Sequence, residues 1–285
     1  MKATSRVLAC ALSALVLAAP AAAQEGGRPA WVADFTVVSA NVLFGGLSAG
    51  AVQKARGGSF RDGFARGAAG GLGVYAGKRI AVGRWEGAGL VGRQVASVGS
   101  SVVWNAGQGR PSLEEVALPL GPVRFYVRPR GGGPRVRARV DALSLAATLY
   151  AVARPELEWD ARRSLSSGAA VFQAPDHGLS LGGEGAAALA YPGNVYLGAT
   201  RGQDAEYLAH SFAHERVHNL QADQIYFALG RPLQEATLNR LPGGRVLGRW
   251  VDFDLSMLGI AARAAAIDEH GGRPWEMEAI ELVAP

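Results

Sequence analysis

The sequence predicts an α+β fold, on three observations. Glycines recur at helical spacing through an apolar N-terminal part, alternating apolar runs fill the middle, and an amphipathic helix with clear stop signals occupies the C-terminal part. In a chain of 285 residues, 49% hydrophobic and 19% charged, these patterns support a real core and exclude global disorder. The 39 glycines follow no G-X-Y period, which excludes collagen.

Residues 1–23 read as a Sec signal peptide. Lys2 and Arg6 make a basic n-region, Val7 to Ala19 an apolar stretch, and Ala21-Ala22-Ala23 before Gln24 a small-residue cleavage site. The single cysteine, Cys10, belongs to that segment. The mature chain therefore has no disulfide, thiolate metal ligand or cysteine nucleophile, and the expected location is periplasmic or secreted, with outer-membrane association as a further option.

Residues 24–110 are expected to be a glycine-rich helical region. Gly63, Gly67 and Gly71 fall four apart, followed by Gly73 and Gly77, so on a helix they make a smooth stripe that another backbone can approach closely. Phe35 to Gln53 is free of charge for 19 residues, near the length of a membrane span, yet Thr36, Ser39, Asn41, Ser48 and Gln53 weaken its hydrophobicity. Packing helices are favoured over spanning ones, and membrane association is retained as a partner class.

Residues 111–199 are expected to be β-rich and antiparallel. Val123–Val127, Val136–Val140 and Leu143-Ser144-Leu145 alternate or run apolar between turn signals such as Gly131-Gly132-Gly133-Pro134, and Asn194-Val195-Tyr196-Leu197 continues the pattern. Arg124, Arg128, Arg130, Arg135, Arg137 and Arg139 form a basic run. Without interleaved aromatic platforms it reads as the solvent face of these strands, and no nucleic-acid partner is expected.

Residues 200–285 are expected to be helical, and 111–285 to form one domain. The main helix runs from about Gln203 to Leu229, with Thr200 and Gln203 spaced as a capping box and Gly230 with Pro232 as its stop. A second helix is expected from near Asp254 to His270. A last one starts at Pro274 and carries Trp275 to Val283.

The main helix contains His214-Glu215-Arg216-Val217-His218, an H-E-x-x-H pattern. Four residues on a helix return to within about 40° of the same face, one turn along, so both imidazoles can reach one metal ion. Glu215 then projects beside the ion, placed to take a proton from attacking water and pass it to a leaving amine. His210, one turn earlier, and His177, in a loop, read as polar residues rather than ligands. A catalytic zinc takes three protein ligands. Gln221 and Gln224 stand where a metzincin would have its glycine and third histidine, so the third ligand must lie elsewhere. Glu276 and Glu278 are available on the last helix. Two positions apart, they diverge by about 200°, so only one can face the ion.

His214-Glu215-x-x-His218 followed by Glu276-x-x-Ala279 resembles the gluzincin zinc metallopeptidases, in particular bacterial HtpX-like and minigluzincin-type proteins with a downstream E-x-x-A-D. The resemblance spans roughly Gln203 to Val283. It implies Glu276 as third ligand, with Glu278 in reserve and His270 or Glu269 behind it. Ile280 stands where that pattern has an aspartate that orients a ligand histidine. Gln221 resembles the H-x-x-Q of several bacterial H-E-x-x-H proteins. The resemblance further implies a sheet edge that pairs with extended substrate, for which Asn194 to Ala199 is the expected strand. Tyr207 and Tyr226 are placed as packing residues, with an oxyanion-holding role as the alternative.

The expected activity is a zinc-dependent metallopeptidase-like hydrolase: Zn2+ on His214, His218 and Glu276, with Glu215 activating a zinc-bound water against a peptide or protein substrate. The alternative is a non-catalytic cell-envelope protein with a structural or vestigial zinc site and a glycine-rich packing or membrane-associated region.

Overall fold

The computed structural model describes residues 30–129, 133, 135–176, 179, 188–198, 201–257 and 274–283. The signal segment, His177, Glu269 and His270 lie outside the described residues, as does nearly all of the helix expected from Asp254 to His270.

Three helices make the glycine-rich layer: α1 (Ala30–Ala55), α2 (Phe60–Ala81) and α3 (Ala88–Gly107). Ser59 caps α2, its hydroxyl accepting the Asp62 N–H at 3.3 Å. The glycines of α2 serve two seams. A Cβ on Gly63 would stand 2.8 Å from the Ala49 carbonyl of α1, and one on Gly70 would stand 2.7 Å from the Gly99 carbonyl of α3. Gly67 and Gly71 face α1 in the same manner, and Gly77 faces Gly92 and Ala96 of α3. Backbone therefore meets backbone on both sides of α2. Trp31–Ala55 is the one described helix long and apolar enough to cross a membrane, with a mean hydropathy of 1.6. Its Val37 and Ala49 are buried among the other helices, while Trp31 and Phe35 are exposed.

The strands form two four-stranded sheets, both mixed, where a single antiparallel sheet was expected. The first joins β1 (Val116–Leu120), β2 (Val123–Arg128), β3 (Arg135–Asp141) and β8 (Val251–Asp252) in that order, with β3 and β8 parallel. The second has the order β4 (Glu158–Trp159), β5 (Ala170–Ala174), β7 (Asn194–Gly198), β6 (Ala188–Tyr191). Pro192-Gly193 turns β6 back into β7, with Gly193 at φ +71°, and β7 then lies between β6 and β5, parallel to the latter. Every residue of β7 is buried, as its unbroken Val195-Tyr196-Leu197 run suits a central strand. The strand expected at the edge is thus interior. Among the described residues the edge beside the motif helix is β6.

Two further local expectations fail for identifiable reasons. Leu143-Ser144-Leu145 is not a strand but the start of α4 (Ala142–Val152), because Asp141 caps it, its carboxylate accepting the Ser144 N–H at 2.7 Å. Three residues of alternation carry too little period to outweigh a cap followed by alanine and leucine. Arg124 does not face solvent. It is 3% exposed and paired with Asp141 and, at 3.1 Å, with Asp223, while Arg128 and Arg137 hold Glu115 at 2.9 and 3.0 Å.

After the short helix α5 (Ala161–Ser167) and the second sheet comes α6 (Ala205–Ile225), which carries the H-E-x-x-H pattern. Asp204 caps it, accepting the Glu206 N–H at 3.4 Å, in place of the capping box expected at Thr200 and Gln203. The chain does not stop at Gly230. It passes through a π-helical turn (Tyr226–Gly230) into α7 (Arg231–Ala236), where Pro232 sits in the first turn and no amide hydrogen is required. After α8 (Gly244–Leu247), the last described helix is α9 (Pro274–Val283).

The layers share their cores. Val74, Ala81 and Ala96 of the glycine-rich helices pack with Leu220 of α6, and Val37 packs with Val217 of α6 and with Ala279 and Leu282 of α9. Ala279 is fully buried at the α6–α9 contact, where a larger side chain would hold the helices apart.

Candidate metal centre

α6 and α9 bring His214, His218 and Glu276 together. Glu276 Oε2 lies 3.1 Å from Nε2 of each histidine, and the two Nε2 atoms are 3.0 Å apart. The three donor atoms form a nearly equilateral triangle. Ligands of one tetrahedral zinc, each about 2.0–2.1 Å from it, stand roughly 3.3 Å apart, so the triangle matches a shared ion to within a few tenths of an ångström. Two imidazoles with a carboxylate suit zinc and other first-row ions alike. The imidazoles are nearly perpendicular, at 82°, which lets both ring edges point at one centre.

His218 is held from behind. Gln221 Oε1 stands 2.7 Å from His218 Nδ1, and Gln221 Nε2 donates to the Trp275 carbonyl and to Glu278 Oε2, both at 2.8 Å. With both amide hydrogens committed to acceptors, the oxygen is the atom left for His218. The ring is thereby set with its hydrogen on Nδ1 and its lone pair on Nε2. Burial by itself lowers the His218 pKa, but the hydrogen bond and charge of Glu276, with Glu215 and Gln221, raise it above the ordinary value. A cation near the ring would take the place of that proton.

Glu215 sits between the histidines and the sheet, 8% exposed. Burial raises its pKa, against the opposing pull of the two histidines and of a hydrogen bond from the Ala190 backbone N–H of β6. Asn219, one turn further on, donates to the Asn194 carbonyl at 2.9 Å and fixes α6 against β7. The general-base candidate therefore lies alongside the edge strand.

Glu276 and Glu278 separate as helical geometry demands. Glu276 faces the histidines, and Glu278 faces away from them toward the glycine-rich layer, where it meets Lys78 of α2 at 2.7 Å. Glu278 thus lies outside the three-donor cluster. Ile280 is half exposed and takes no part in the cluster; the side chain against His218 Nδ1 is Gln221 from α6. His210 is exposed and outside the cluster. Tyr226 is buried in a core with Trp104, Tyr126 and Phe227, about 12 Å along the helix from His218, and Tyr207 is exposed in the first turn of α6.

Sequence reasoning missed Lys78, Asn41 and Gln224. Lys78 Nζ donates to Asn41 Oδ1 and Gln224 Oε1, each at 2.9 Å, as well as to Glu278. The available signals were a lone lysine within an otherwise glycine and alanine stripe and two glutamines three apart on the motif face. Comparison of the chain with protein-family models, with curated proteins and with solved structures gives no match.

Proposed function

We propose that the chain is an exported, zinc-dependent metallopeptidase-like hydrolase. The observation that carries this reading is the three-donor triangle of His214, His218 and Glu276 closing beside Glu215, which itself lies against the backbone of an edge strand. When bound, zinc supplies Lewis acidity that polarises a carbonyl and acidifies water.

The chain's own residues account for the rest. β6 is an edge of its sheet among the described residues, and an extended peptide adds to it as a further strand without demanding particular side chains. Glu215 accepts a proton from the attacking water and returns it to the leaving amine, its raised pKa bringing it closer to the operating pH than an exposed glutamate. Gln221 keeps His218 in the tautomer that presents Nε2. Export follows from residues 1–23, and the mature protein would begin at Gln24 and fractionate with the periplasm or medium.

Metal analysis of the purified mature protein tests the reading. We expect one zinc per chain, lost in His218→Ala, and Glu215→Gln that retains zinc while losing peptide hydrolysis by about 10²–10⁴-fold. A chain without stoichiometric metal sinks the proposal. The depth of the cluster, with the His214 and His218 side chains 17% and 14% exposed, favours as second reading a structural zinc in a cell-envelope protein. Full zinc occupancy with no Glu215-dependent cleavage of peptides or envelope proteins would select it.

A further inference from the structure

We infer that Lys78 and Glu278 are positioning residues of the metal centre, acting on His218 through Gln221, so that the glycine-rich layer is a working part of the site. The inference rests on the proposed metal reading and extends it to a segment that the H-E-x-x-H pattern leaves out.

The connection is continuous. Lys78 Nζ stands 2.7 and 2.9 Å from the two oxygens of Glu278; Glu278 Oε2 accepts from Gln221 Nε2 at 2.8 Å; Gln221 Oε1 faces His218 Nδ1 at 2.7 Å. Asn41 of α1 donates to Glu278 Oε1 at 2.6 Å and accepts from Lys78, which closes the network on its far side. Every step has a defined direction. An ammonium can only donate, an ionised carboxylate can only accept, and the carboxylate together with the Trp275 carbonyl takes both hydrogens of the Gln221 amide. A flipped amide would set its oxygen against two acceptors. The charge on Glu278 therefore dictates the tautomer of His218 two links away.

Energetics argue against a purely structural pair. Lys78 is fully buried, and a buried ion pair is commonly no more stabilising than apolar residues of the same size. A seam of glycines that brings backbones into contact needs no buried cation to hold it. A function that does require a fixed charge at this point is the orientation of the ligand behind which it stands. Outer partners of ligating histidines typically contribute 10–100-fold to metal affinity.

The experiment uses the full mature chain and replaces the pair together, Lys78→Met with Glu278→Met, leaving no unpaired charge. Zinc affinity is read by chelator competition, the His218 tautomer by ¹⁵N chemical shifts in the zinc-free protein at a pH above the titration of the ring, and folding by thermal unfolding. We expect thermal stability equal to or above the parent, zinc affinity 10–100-fold weaker, and His218 shifts that average over two tautomers in place of one. A folded double variant with parental affinity and a single Nδ1-protonated tautomer overturns the inference. Should the double variant not fold, Glu278→Asp keeps the charge beside Lys78 but withdraws it from Gln221. The same two readouts then decide, with loss supporting the inference and parental behaviour overturning it. If the parent binds no zinc, the metal reading fails, while the tautomer measurement on the metal-free protein still tests the link to His218.

Discussion

Glu276 and Glu278, two positions apart on α9, are turned to opposite partners: Glu276 Oε2 lies 3.1 Å from the Nε2 atoms of His214 and His218, and Glu278 Oε1 lies 2.7 Å from Lys78 Nζ. Substituting the two should have separable effects. Glu276→Ala removes a donor. Zinc at about 100 times its Kd should stabilise the parent by about 2.7 kcal/mol, and that ligand-dependent shift should vanish in Glu276→Ala when measured by thermal unfolding with and without zinc. An equal shift in both proteins would show that Glu276 is not a ligand.

Ile280→Asp introduces the residue found in the E-x-x-A-D pattern, yet it should change little. The side chain is 50% exposed, and Gln221 already occupies His218 Nδ1. We expect a stability change within about 0.5 kcal/mol, as for ordinary surface substitutions, and zinc affinity within about threefold of the parent. Gln221→Leu, in contrast, should weaken zinc by 10–100-fold. Marked tightening by Ile280→Asp in a chelator titration would show that α9 reaches the histidine after all.

Glu115 should contribute to acid sensitivity. It is 1% exposed; burial pushes its pKa up, but Arg231 and Arg128 outweigh burial and hold it down to about 2, from an ordinary 4.5. A depressed carboxyl contributes stability that is complete above the unfolded pKa and is lost as pH falls from about 4.5 toward 2. The contribution is on the order of 3 kcal/mol at pH 7. Glu115→Gln should be destabilised by that order in urea unfolding at pH 7, and the gap to the parent should narrow below pH 4.5. A gap constant from pH 7 to pH 3 would contradict this.

Gly77→Ala tests the seam between α2 and α3. In an open helix this change stabilises by roughly 0.5–1 kcal/mol. At this position the new methyl would meet the Ala96 backbone and the Gly92 carbonyl, which cannot step aside as a side chain would. Destabilisation of about 1–3 kcal/mol is expected by denaturant titration. Stabilisation would mean that the helices are further apart than described.

The elements that could be read from the sequence are those whose information is local. α9 covers Pro274–Val283, a run expected to be helical, and His214 and His218 share a face of α6 because i and i+4 must. The glycine stripe of α2 does meet neighbouring backbones. What stayed hidden depends on distant segments. β7 looks like any apolar strand, and only its pairing with both β5 and β6 makes it interior. Arg124 alternates as a surface residue would, but its carboxylate partners Asp141 and Asp223 come from separate elements. Lys78, Asn41, Gln221 and Glu278 lie on four helices, and no spacing rule joins them.

At Gly71 and Gly77 the seams of α2 set main chain against main chain, which has no rotamers to exchange. α1, α2 and α3 therefore behave as one plate, and the face of α6 that rests on them through Leu220 and Val217 cannot yield without the plate bending. On the opposite side of α6, β6 is tied to β7 by its ladder and to Glu215 by the Ala190 N–H, so the motif helix is gripped from both faces.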